Sequence, residues 1–174
     1  ELELLRGRTA VARRELGAFS AQDDANPLPQ SMLLTARGKL AWHDARYDDA
    51  RRLLMQARSV RESAGLGDWA RLSELDLIEL DAVQGRTEGQ DERLRELRRS
   101  AAAAGDTSTA LDAGLLLVRH WLATRNELEA QALLSELQPE FSTGADAVAT
   151  MRFDILSALA RGNGDASERL ARLA

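Results

Sequence analysis

The stretch Ala50-Arg51-Arg52-Leu53-Leu54-Met55-Gln56-Ala57 sets a small residue, a leucine and a second small residue four and three positions apart. On a helix those spacings bring Ala50, Leu54 and Ala57 to one face. The same frame returns as Gln90, Leu94 and Leu97, and again as Ala130, Leu134 and Leu137, forty residues on each time. A fourth copy, Ala166, Leu170 and Leu173, follows after thirty-six. A fixed period in this range marks an array of helical units, none of which can bury its apolar face alone. Such arrays offer an extended surface to a partner, so function is expected from recognition and not from reacting groups.

Punctuation between the apolar runs gives about nine helices and no strand. A leading helix is predicted over about Leu2 to Ser20, with Leu2, Leu5, Ala12, Leu16 and Phe19 on one face. Gln22 to Gln30 reads as a connector, because Asp23, Asp24 and Asn26 favour turns while Pro27 and Pro29 interrupt helices. Ser31 is expected to open the next helix, and a tight turn near Ala45-Arg46 leads into one from Tyr47 to about Ala64. Gly65-Leu66-Gly67 stops that helix, with Asp68 expected as the next cap. Further helices are predicted from Asp68 to Gln84, Gln90 to Ala104, Asp106 or Thr107 to about Ala123, and Glu127 to Leu137. Pro139 and Gly144 mark a break, after which Asp146 to Ala160 and a segment from Asp165 form a last pair. The organisation expected is a single domain, with a leading helix over 1–22 and helix hairpins over 31–64, 68–104, 106–138 and 146–174. An opening Glu1-Leu2-Glu3 without methionine suggests a piece of a longer protein.

Composition narrows the function. With 44% hydrophobic and 29% charged residues, the chain resembles a folded domain and not a disordered segment. No apolar run approaches the roughly twenty residues a membrane helix needs. The absence of cysteine excludes disulfides and thiolate sites and fits a cytoplasmic protein. Net charge is −5 with the signs interleaved, which argues against a nucleic-acid binder. The densest basic group, Arg93, Arg95, Arg98 and Arg99, sits beside Asp91, Glu92 and Glu96 and reads as a solvated, salt-bridged helix face.

Catalytic constellations are missing too. The histidines, His43 and His120, stand in no metal-ligand spacing, and neighbours such as His43 and Asp44 point about 100° apart on a helix. Phosphate-binding and nucleophile-elbow motifs do not occur, so no enzyme activity, metal or cofactor is expected.

Against this background Leu34-x-x-x-Gly38-x-x-Ala41, followed by Tyr47-x-x-Ala50-x-x-x-Leu54-x-x-Ala57, resembles a tetratricopeptide repeat. Gly38 and Ala50 would let two helices approach closely, with Tyr47 and Leu54 filling the space between them. The other copies depart from the pattern: Ile78 and Val118 stand at the Gly38 position, Thr87 and Glu127 at the aromatic one. A period of forty also exceeds the usual repeat of about thirty-four. The combination is similar to the longer tetratricopeptide-like repeats of large bacterial transcription activators and other signalling proteins.

The resemblance implies an all-α, right-handed superhelical array of antiparallel hairpins, whose first helices line a concave wall. Carried over by position, Thr35, Lys39, Trp42 and His43 would face that wall. Leu75, Glu79, Ala82 and Val83 follow in the second repeat, then Leu115, Arg119, Leu122 and Ala123 in the third. Leu75 and Leu115 read more readily as core, and Trp42 reads equally well as core or groove. For Trp69 and Trp121, packing is the preferred reading. The expected function is a scaffold that binds a peptide or partner helix, within a larger regulatory protein. The alternatives are a small-molecule effector domain, with a pocket near Trp42, and a structural spacer that pairs with a second copy.

Overall fold

The computed structural model describes residues 9–18, 26–142 and 146–162. The described residues form eight α-helices and no strand. In chain order these are α1 (Thr9–Ala18), α2 (Pro27–His43), α3 (Tyr47–Ser63), α4 (Gly67–Val83), α5 (Gln90–Ala103), α6 (Thr107–Ala123), α7 (Glu127–Ser142) and α8 (Ala147–Arg161). The expected extension of the leading helix to Leu2 and Phe19, the start of the connector, Gly144 and the segment from Asp165 lie outside the described residues. No described helix is long and apolar enough to cross a membrane.

The forty-residue period survives into the backbone. Helices α2, α4, α6 and α8 begin at Pro27, Gly67, Thr107 and Ala147. Buried positions recur with it: Ala50, Gln90 and Ala130; Leu54, Leu94 and Leu134; Ala57, Leu97 and Leu137. Turns recur as well. Ala45, Gly85 and Arg125 adopt left-handed φ values of 56°, 71° and 63°. Each is followed by the same six-residue closure, Arg46 N–H to the Ala41 carbonyl, Arg86 to Asp81 and Asn126 to Trp121, at 2.8–2.9 Å. These closures satisfy carbonyls that a helix end leaves unpaired.

The chain divides into two compact units that part between Arg86 and Thr87. In the first, α1 packs on α2, α2 on α3, and α3 on α4. Ala41, Ala50, Leu54, Leu77 and Leu80 form one core cluster there, with Trp42, Tyr47 and Leu53 against it. Gly38 explains the close approach of α2 and α3. A Cβ at that position would lie 3.0 Å from Leu54 Cγ and 3.4 Å from the Ala50 carbonyl oxygen. Arg61 ties three helices together. It is buried, donating to Ser31 Oγ at 3.1 Å, Ser73 Oγ at 2.6 Å and the Trp69 carbonyl at 3.0 Å. Its guanidinium also lies 5.5 Å from the centroid of the part-exposed Trp69 ring.

In the second unit α6 packs against α5, α7 and α8, and α7 against α8. Asp106 caps α6 through Thr109 N–H at 3.1 Å, and Asp146 caps α8 through Val148 and Ala149 at 2.8 and 3.0 Å.

Three boundary expectations need correction. Helix α2 opens at Pro27 and not at Ser31, capped by Asn26, whose Oδ1 accepts from Leu28 N–H at 3.1 Å. Prolines 27 and 29 sit in the first turn, where the missing N–H has no partner to lose and the fixed φ suits a helix. Asp68 lies inside the first turn of α4, paired with Arg71, and caps nothing; Leu66 holds the cap position. Helix α7 runs through Pro139 to Ser142. The extra turn buries Phe141 and stacks its ring on Phe153 of α8 at 4.6 Å, a contact that offsets the proline penalty.

Candidate functional site

The second unit contains a groove of about 810 Å³ that follows α6 between α5 and α7. Its floor comes from one stripe of α6: Thr107, Ala110, Leu111, Leu117 and Trp121. At about 100° per residue these five side chains fall within an arc of roughly 120° on one side of the helix. On α5 the anchoring residues Leu94, Leu97 and Ala101 are buried. The groove residues Arg95, Arg98 and Ala102 stand one position further on, with Arg99 beside them. On α7 the order is reversed: Glu129, Ala132 and Glu136 stand one position before the buried Ala130, Leu133 and Leu137. A step of one residue turns a side chain by about 100°, which carries each set from the core to the groove edge. One wall is therefore cationic, with Arg95, Arg98 and Arg99, and the other anionic, with Glu129, Glu136 and Glu140.

Two polar features shape the groove. At one end, Trp121 donates its indole N–H to Asp91 while the Arg95 guanidinium lies 5.0 Å from its ring centroid. Near the middle, Arg98 on α5 reaches Glu136 on α7 at 2.6 Å. The Arg98 side chain passes close over α6 at Gly114, with Nε 3.6 Å from where a Cβ would stand there. His120, next to Trp121, has its pKa lowered by burial, an effect partly opposed by the Asp91 charge.

The residues singled out from the sequence lie elsewhere. None of Thr35, Lys39, Trp42, His43, Glu79 or Arg119 lines the groove, and all but Arg119 belong to the first unit. Thr35 is buried and its hydroxyl donates to the Ser31 carbonyl at 3.0 Å. Leu75 and Leu115, forty and eighty residues on from it, are buried too, which selects core of the two readings they allowed. Lys39 is half-buried and pairs with Asp76 on α4 at 3.2 Å. Trp42 is half-buried against the first unit's core, His43 is exposed at the end of α2, and Glu79 and Arg119 are half-buried. Trp121 is buried, yet its ring still contributes to the groove floor.

The arginine cluster on α5 forms local ion pairs, Arg95 with Asp91 at 3.0 Å and Arg99 with Glu96 at 2.6 Å. Nothing in the spacing around Arg98 signals that it crosses to another helix. Its partner is thirty-eight residues away and meets it only through the packing of α5 and α7 about α6. Among the described residues no group of three or more His, Asp and Glu side chains converges as metal ligands would. No protein-family model, curated protein or solved structure matches this chain.

Proposed function

We propose that the chain is a tetratricopeptide-like helical-repeat module that binds a helix or short peptide of a protein partner. The recurrence of burial and turn geometry every forty residues supports the repeat reading. The observation that carries the binding reading is the groove along α6, with an apolar floor and charged rims. An apolar floor drives association by burial, and charged rims orient what binds. A helix face as floor, with no sheet edge to extend, favours an occupant that presents its own stripe of side chains. The regulatory setting rests on the repeat resemblance alone.

Selection from a displayed library of helical peptides tests this reading. Peptides with apolar residues at i, i+3, i+4 and i+7 should be enriched, and Ala132→Trp or Ala102→Trp should abolish their binding by filling the groove. Both alanines are exposed, so neither change disturbs the core. Enriched peptides that bind both variants as well as the parent would show that recognition lies elsewhere.

A further inference from the structure

We propose that the groove takes an amphipathic helix with carboxylates along one flank and cationic side chains along the other. The opposite signs of the two walls then fix the direction in which that helix lies. This rests on the reading of the groove as a helix site and names the chemistry of its occupant.

Length sets the first constraint. The floor runs from Thr107 to Trp121 on α6, which at 1.5 Å per residue spans about 21 Å, or roughly four turns of a bound helix. Charge sets the second. An occupant seated on Ala110 and Leu111, the half-buried members of the floor, brings one flank to Arg95, Arg98 and Arg99 and the other to Glu129, Glu136 and Glu140. A helix acidic on both flanks meets a like-charged wall at α7, and one basic on both flanks meets a like-charged wall at α5. Like charges across an interface select against a partner more strongly than matched charges add affinity.

The bridge between Arg98 and Glu136 belongs to the same device. It crosses the floor at Gly114, so a helix can settle fully only by parting it. Glu136 is exposed while the Arg98 side chain is 29% exposed, and an ion pair open to water on its carboxylate side is weakly held. Once parted, Arg98 faces the acidic flank and Glu136 the basic one, so one internal pair becomes two pairs with the partner. A helix with its flanks exchanged makes the same pairs by turning end for end.

Four synthetic helices with one apolar stripe test the inference: Glu and Lys on opposite flanks, the same with flanks exchanged, Glu on both, and Lys on both. The first two should bind alike, and the uniform helices about tenfold or more weaker at low salt, with the gap closing as salt rises. A nitroxide at the peptide N-terminus should broaden signals near Trp121 for one mixed helix and near Thr107 for the other. Equal affinity for all four, or broadening at both ends by each mixed helix, overturns the directional inference and leaves the groove reading standing. Binding by none of the four overturns both.

Discussion

Trp121 on α6 donates its indole N–H to the Asp91 carboxylate on α5 at 3.0 Å, thirty residues away in sequence. The same carboxylate accepts from Arg95 at 3.0 Å, and Arg95 in turn lies over the Trp121 ring. Trp121→Phe removes the donor and shrinks a buried ring. A net loss of about 1–3 kcal/mol is expected, because the lost hydrogen bond and the small cavity add. The midpoint of urea unfolding, with an unchanged slope, measures it.

Leu54 is fully buried in the first unit's core, whereas the adjacent Met55 is 55% exposed. Leu54→Ala should cost about 2–5 kcal/mol, the usual range for a cavity in a close-packed interior. Met55→Ala should change stability by less than about 0.5 kcal/mol. Denaturant titration of both variants separates an ordered core from a loosely filled one.

Ala45 and Arg125 hold the left-handed turn position that Gly85 holds without strain. A side chain there costs roughly 1 kcal/mol. Ala45→Gly and Arg125→Gly should therefore each raise stability, by about 0.5–1 kcal/mol, and Gly85→Ala should lower it. Thermal unfolding of the three variants reads the signs directly.

Burial disfavours the charged form of His120, so its folded pKa lies below the unfolded value near 6.5. The unfolded chain then binds the proton more readily. The contribution of His120 is intact above about pH 6.5 and declines as pH falls from there through the folded pKa. The pH dependence of unfolding free energy for the parent and His120→Gln should differ only in that acid range.

Much of the fold was readable from spacing. Apolar or small residues at forty-residue intervals predicted which faces would be inside, and Leu54, Leu94 and Leu134 are all buried. Gly38 was readable because a missing side chain beside Leu54 has one obvious use, close contact between helices. Pro27, Pro29 and Pro139 misled, because a proline's effect depends on its turn of the helix and on what packs beyond it. The candidate site was less legible. Lys39 meets Asp76 through the placement of α4 beside α2, and Arg98 meets Glu136 through that of α7 beside α5. Neither arrangement leaves a mark at fixed spacing along the chain. The rim residues Arg95, Arg98, Glu129 and Glu136 also stand one residue off the repeating core positions, where a search for repeated apolar residues does not look.

Leucine methyl shifts followed by NMR, as a mixed-charge amphipathic helix is added, most directly test where recognition occurs. The account predicts that Leu111, Leu117, Leu133 and Leu137 move, while Leu53 and Leu40, beside Trp42 and Lys39, stay in place. Shifts confined to Leu40 and Leu53, with the four groove leucines silent, would contradict it.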